Sequence, residues 1–424
     1  MVNLLIVFHH VTLIDGTGRE PLSDATVAVR DRRITYAGKS RTWLPSLQED
    51  ILNIDFSGKY LLPGIIDCHV HLAGTGDPDG RIQADDGTAA LRMLHNARRD
   101  LVSGLTTVRD PGGWNGLEFA ARSAIQRGDF CGPRLVLTGK CITGSESAAA
   151  QYSGMYRLAK GPEEVRKAVR EQIRQGADSV QLAVTGMALV EEDVPAATQL
   201  TADEVHLAVE EAGKSGRRVS AVAHGIDGIR QAVLAGVHSL EHGTYLHKSR
   251  DVIEEMKRRG TILVPALKPA HDLTGGNTSK LPAWLVERMS QHQEASEKSV
   301  RLAYQAGIPI AMGSGAATPL NRHGDNSLEA YCLQLAGMKP MDALVASTLT
   351  AARVLGQEAE TGSIEEGKIA DLLILDTDPL DDLRRLADRK QIRAVFLGGK
   401  LAAHQPTDSY PKTILARDPL LIVP

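Results

Sequence analysis

The chain has 424 residues, 42% hydrophobic and 24% charged, with a formal net charge of −4. That length accommodates a large barrel with a smaller appended unit, and the composition is that of an ordinary globular protein. No Lys/Arg block and no apolar run of membrane-helix length occur, which argues against a nucleic-acid footprint, a polybasic anchor or a membrane span.

The opening "MVNLLIVFHHVTLIDGTG" lacks a basic leader and soon meets His9, His10 and Asp15, so it reads as a first β-strand and turn. From Leu61 onward, short apolar runs alternate with amphipathic helical runs. Predicted strands are 61–67, 105–108, 134–138, 179–184, 218–223, 237–241, 261–265 and 308–313. Between them, "GPEEVRKAVREQIRQGA" sets Val165, Ala168, Val169 and Ile173 on one face, with Gly176 as a stop. "TADEVHLAVEEAG" opens with a capping box, Thr201 to Glu204. Strands buried on both faces and separated by helices imply a parallel sheet, and eight such units predict an α/β fold with a (β/α)8 TIM barrel over 61–357. A doubly wound sheet is the alternative, weakened by the absence of G-x-G-x-x-G after the first strand. The flanks, 1–60 and 358–424, carry strand-and-turn patterning ("TVAVRDRRITYAG", "ADLLILDTDP", "IRAVFLGGKL") and predict one small β-sandwich built from both chain ends.

The chemistry concentrates at strand ends. "LLPGIIDCHVHLAG" places His69 and His71 at i and i+2, hence on one side of an extended chain, where two imidazoles can share a divalent cation. "SAVAHG" puts His224 just past the fifth strand. "VHSLEHG" puts His242 at the end of the sixth, with His238 and Glu241 as nearby alternatives. An isolated HxH is weak; three successive metal-like positions at strand C-termini are not. His224 could instead be a loop histidine bonding backbone, and His242 a helix-entry residue. His95 and His206 fall within predicted helices, and His247 and His292 in polar surroundings, so surface roles are expected for those four. Cys68, Cys131, Cys141 and Cys332 show no CxxC pairing, which predicts neither disulfides nor a thiolate zinc site and suits a cytoplasmic location.

Together with "SGLTTVRDPGG", "GPRLVLTGKCIT", "VRKAVREQIRQGADSVQ", "AGVHSLEHGTYL", "IPIAMGSGAATPLNRHGDNSLEA" and "GSIEEGKIADLLIL", these motifs make the chain resemble the amidohydrolase superfamily. The similarity is to the group of imidazolonepropionase-like proteins, Xaa-Pro and Xaa-Arg dipeptidases and ochratoxin-type amidases. It implies a metal-dependent barrel that hydrolyses C–N bonds in peptides, N-acyl amino acids or cyclic amides. It also implies His69, His71 and His242 as metal ligands, with His224 as a fourth ligand or a catalytic imidazole.

Three positions depart from that pattern. The family's strand four carries a lysine in a "GADxIK" context, carboxylated so as to bridge two cations; here "GADSVQ" supplies Gln181, which cannot form a carbamate. Two dications about 3.5–4 Å apart repel strongly without an anion between them, so one zinc per chain is expected. Strand five keeps only the second histidine of the family's His-x-His-Gly, with Val222 at the first. Strand eight normally ends in an Asp that ligates metal and takes a proton from water; "MGSGAATP" puts Gly315 at that catalytic position. Asp325, Asp110 or Glu146 could substitute for it, or Gly315 could be an introduced replacement of Asp.

Four further residues are candidates for substrate binding: Arg109 for a carboxylate, Tyr152 in the small polar loop 143–154, and His323 and Asn326 in the loop after strand eight. The expected function is hydrolysis of an amide or other C–N bond in a modified peptide or N-acyl amino acid, with one zinc and an altered site. The alternative is an inactive member that binds metal and ligand without hydrolysis; a weaker one is a lyase or isomerase step that needs no strand-eight base. The expected partner is a small-molecule or peptide substrate, with a homo-oligomer left open.

Overall fold

The computed structural model describes residues 4–43, 50–78, 85–276 and 278–405. The last part of the predicted end unit, 406–424, lies outside the described residues. Seven parallel strands carry the mouth of the fold: β1 Ile65–Asp67, β2 Leu105–Asp110, β3 Arg134–Leu137, β4 Ser179–Ala183, β5 Arg218–Ala223, β6 Ser239–His242 and β7 Ile262–Val264. β1–β3 form one sheet. β4–β7 form a second, extended past β4 by Cys141–Thr143 and Tyr156–Leu158. Backbone bonds link the sheet edges. Asp178 N donates to Leu137 O at 2.7 Å, and Cys68 N donates to Met312 O at 3.0 Å. Segment 308–316 bridges β7 at Leu263–Ile310 and the chain after β1 at Val70–Ala316, both parallel. Helices alternate with the strands, giving a TIM-barrel-like α/β fold.

The helices follow their sequence signals. Pro162–Gln175 starts with proline in its first turn, buries Val165, Ala168 and Val169, and ends on Gly176 at φ 100°. Ala202–Gly213 is capped by both bonds of the Thr201/Glu204 box.

The predicted strand 61–67 is two strands. Tyr60–Pro63 pairs with Leu4–Leu13 and Leu372–Leu375, whereas β1 pairs with β2. The division falls at Gly64, where a Cβ would sit 2.2 Å from the Thr106 side chain, so only glycine lets the chain pass from one sheet to the next. Segment 308–313 makes one isolated bridge, at Ile310, rather than a regular strand. Strands from both chain ends join in one eight-stranded sheet, ordered from Lys400–His404 through Tyr60–Pro63 and Leu4–Leu13 to Arg33–Lys39, with Asp50–Asp55 also on Leu4–Leu13. Its core includes Phe8, Phe56 and Phe396, with ring centroids 6.0 and 4.9 Å from Phe8. Among the described residues no helix is long and apolar enough to cross a membrane.

Candidate active site

His69 and His71 leave the end of β1 in extended chain, their ring centroids 5.2 Å apart. Behind His69 lies a buried ion pair. Glu241 accepts from Arg109 Nη2 at 2.5 Å and from Ser239 Oγ at 2.9 Å, and pairs through Oε2 with His69 Nδ1 at 3.0 Å. Burial pushes Glu241 upward, but Arg109, His69 and Ser239 outweigh it and hold the carboxyl at about 2. A carboxylate only accepts, so His69 donates from Nδ1 and turns the Nε2 lone pair away from Glu241.

The sequence pattern offered Arg109 to a substrate carboxylate. The structure places its guanidinium on Glu241 and on Cys68 O at 2.6 Å, 2% exposed and outside the pocket lining. His323 and Asn326 are likewise buried outside the lining. His323 sits between Asp100, at 2.8 Å from Nδ1, and the His71 carbonyl, at 3.1 Å from Nε2. Burial lowers its pKa, but Asp100 outweighs this and leaves it raised. Asn326 donates to Asp67 at 2.9 Å, and Asp67 also accepts from His69 N and from the Ser314 backbone and hydroxyl. These two residues brace the HxH segment.

The remaining imidazoles close the arrangement. His242, at φ +65° on the end of β6, lies 5.3 Å from His69 and 4.8 Å from His224 between centroids. His224 is held by Thr185 Oγ1 on its backbone N–H and by Thr244 Oγ1 at Nδ1, 2.8 Å away. His292, expected at the surface, is 6% exposed and stands 5.1 Å from His224. It sits on the helix Ala283–Gln305, whose Leu285, Met289, His292, Ser296 and Val300 form a buried stripe at spacings of three and four. That periodicity was the signal that could have found it, masked by polar neighbours. His95 and His206 are exposed, as expected, and His247 is part-buried against Ser299.

One pocket is lined by His69, His71, His224, His242 and His292, and by Tyr152, Gln181, Val222 and Gly315. Its wall includes Met187, Leu189, Val190 and Met289. The covering loops are tied together by Asp193, which accepts from Ser145 Oγ at 2.8 Å and from Met187 N at 2.8 Å. No Asp, Glu, Lys or Arg lines the pocket among the described residues. Asp325 is exposed, and Glu146 is exposed and paired with Lys160. Asp110 is 1% exposed, raised to about 7 by burial and then by Glu118, and accepts from Leu72 N and Gly112 N. At Gly315, φ is +61° and a Cβ would lie 2.7 Å from Pro269 Cγ. An Asp at this position would meet both that left-handed backbone and the Pro269 ring.

The donor set fits a cation in kind. Burial, then neighbouring imidazoles, pushes His71 and His224 well below the ordinary histidine value and His242 to about 3; burial and Arg288 take His292 to about 4. Neutral imidazole is the form that ligates. His71 Nδ1 and His224 Nε2 are buried without a hydrogen-bond partner. Two imidazoles on one tetrahedral zinc, each at about 2.0–2.1 Å, have centroids roughly 5 Å apart; the His69–His71 and His69–His242 pairs match at 5.2 and 5.3 Å. As they stand, no three His, Cys, Asp or Glu side chains among the described residues form a finished metal cage.

The amidohydrolase family profile matches residues 60–402. Ochratoxinase from Aspergillus niger is 30% identical over 417 residues, covering 92% of this chain and 85% of that protein. Imidazolonepropionase from Symbiobacterium thermophilum is 26% identical, covering 89% and 91%. The crystal structure of a Xaa-Pro dipeptidase with methionine bound in its active site superposes with a TM-score of 0.85 at 28% identity, covering 94% of this chain and 99% of that one.

Proposed function

The chain belongs to the amidohydrolase family, whose members are generally metal-dependent, and from that premise we propose that it hydrolyses an amide, peptide or other C–N bond. The substrate class is a modified peptide or N-acyl amino acid. The observation that carries this reading is the convergence of His69, His71, His224 and His242, from the ends of β1, β5 and β6, on one pocket.

We assign His69, His71 and His242 to one zinc, with Gln181 excluding the carbamate that a second cation needs. Zinc, when bound, polarises a scissile carbonyl and lowers the pKa of water. This chain's own residues do the rest. Glu241 fixes the His69 tautomer. Thr244 orients His224, whose Nε2 serves either as a fourth ligand or as the atom that takes a proton. Tyr152 and the apolar wall hold the substrate and thin out the water around it. In the same reading the linked parallel strands are a closed (β/α)8 barrel, the end sheet folds over as a β-sandwich, and the protein works in the cytoplasm.

A second reading, a metal- and ligand-binding member without hydrolysis, is favoured by the absence of any carboxylate from the described lining. Elemental analysis of the purified chain, coupled to an assay of dipeptides and N-acyl amino acids, separates the two. About one zinc per chain with cleavage supports the hydrolase. Zinc without cleavage of any substrate supports the binder, and about two metals per chain sinks the single-zinc assignment.

A further inference from the structure

Gln181 sits in β4 directly opposite Ser220 of β5 in the parallel register. That pairing lets the Ser220 hydroxyl donate to Gln181 Oε1. The side chain is 1% exposed, and its Nε2 has no hydrogen-bond partner. Buried amide donors are nearly always matched in folded proteins, so an unmatched one facing a pocket points to a ligand that matches it. Gln181 lines the same pocket as the strand-end histidines. Apart from imidazoles, the polar side chains around it in the described lining are hydroxyls and the Cys141 thiol; none is an Asp, Glu, Lys or Arg. The amide N–H needs only an acceptor, and a neutral carbonyl oxygen beside the apolar wall matches it without bringing a further charge into the pocket.

The geometry points to Gln181 as the donor that binds the carbonyl oxygen of an uncharged amide in this pocket. The choice of an amide rests on the proposed hydrolase function; the unmatched Nε2 does not. Position 181 therefore contributes substrate recognition where a cation-bridging group would otherwise stand. A donor of this kind also discriminates: an analogue lacking the acceptor leaves Nε2 unmatched again.

The test uses the purified full chain and N-acetyl-L-phenylalaninamide, an uncharged amide with one apolar side chain. Calorimetric titration is run on the wild type, Gln181→Glu and Gln181→Met, with ammonia release followed separately. Saturable binding, weakened tenfold or more in both variants, is expected. Gln181→Glu keeps an acceptor and removes the donor, so it also distinguishes an amide with Nε2 toward the pocket from one flipped the other way. Absence of saturable binding to the wild type, or unchanged affinity in either variant, overturns the assignment. A crystal structure of the wild-type complex reads it without any variant: the ligand oxygen within hydrogen-bond distance of Gln181 Nε2 supports it, and the oxygen elsewhere overturns it. Binding that depends on Gln181 without ammonia release keeps the donor and counts against hydrolysis of this amide alone, leaving the hydrolase reading to the wider substrate assay. Ammonia release with unchanged kcat and KM in Gln181→Met does the reverse.

Discussion

The polar lining of the pocket has two halves, divided by chemistry rather than by position, that are braced in different ways. From the ends of β1, β5 and β6, imidazoles face the pocket and are held from behind: His69 by Glu241 and Arg109, His224 by Thr244, and the HxH backbone by Asp67 and His323. From β4 and from 308–316 respectively, a neutral amide and a glycine face the pocket. Beside the glycine the bracing runs through Lys268, which donates to Asn321 Oδ1 at 2.9 Å, while Asn321 Nδ2 donates to Ser314 O at 2.8 Å. One half has kept its ligand chemistry together with its supports. The other presents a neutral amide and a left-handed glycine, with no carboxylate beside them in the described lining.

The largest break in this contrast comes from Glu241→Ala. It strands Arg109 and His69 as unpaired buried groups, and removal of one partner from a buried pair typically costs about 3–5 kcal/mol. A large fall in the urea midpoint is expected, with loss of bound zinc in whatever remains folded. A small fall would mean that the support behind His69 is dispensable.

Gly315→Asp is next, and it tests whether the second half is merely missing a residue. Asp tolerates left-handed backbone better than most residues, so the contact with Pro269 dominates; overpacking of this kind costs roughly 1–3 kcal/mol. We expect a lower melting temperature and no gain of amide hydrolysis at fixed zinc loading. A stable variant that gains hydrolysis would show the loop to be a family site waiting for its carboxylate.

The second half also sets a pH dependence. Glu329 accepts from Leu267 N at 2.9 Å and Lys268 N at 2.7 Å, beside the Pro269 that crowds position 315. Burial outweighs these donors and raises its pKa to about 8 from 4.5. The folded chain therefore holds a proton that the unfolded chain releases between about pH 4.5 and 8. By linkage, this group's contribution is full below the unfolded value and falls as pH rises to about 8, then levels off. Urea midpoints across that range should decline for the wild type. Glu329→Gln should be less stable at the acid end, because its NH2 faces a backbone donor, and should lose the slope, so that the gap to the wild type closes as pH rises. An unchanged slope would assign the pH dependence elsewhere.

How much of the molecule was legible in the sequence follows from what each signal depends on. The helix Ala202–Gly213 and its capping box, and the stop at Gly176, were readable because their causes lie within a few residues. The strand-end histidines were readable because β geometry fixes where i and i+2 point. The split at Gly64 was not, since it depends on Thr106, 42 positions away in sequence. Arg109 looked like a substrate clamp until Glu241, on another strand, claimed its guanidinium. His292 was hidden for a different reason: its helix buries one stripe, and composition averaged over the segment reads as polar. Gly315 could be read as an absence, but not as a left-handed residue where a Cβ would meet Pro269.

The smallest effect lies outside both halves and calibrates them. Glu204 closes the Thr201 capping box, accepting from Thr201 N at 2.7 Å, and also accepts from Gly161 N at 2.6 Å, the residue that starts the helix Pro162–Gln175. One carboxylate thus ties together the N-termini of the two outer helices that flank β4, the strand of Gln181. Thr201→Ala removes the cap oxygen on Glu204 N but leaves Glu204 bonded to Gly161, so the cost should be about 1 kcal/mol, typical of a lost cap. Zinc content and Gln181-dependent binding should not change. If binding weakened along with the cap, the position of Gln181 would depend on helix docking at the rim. The pairing with Ser220 would then be its consequence rather than its cause.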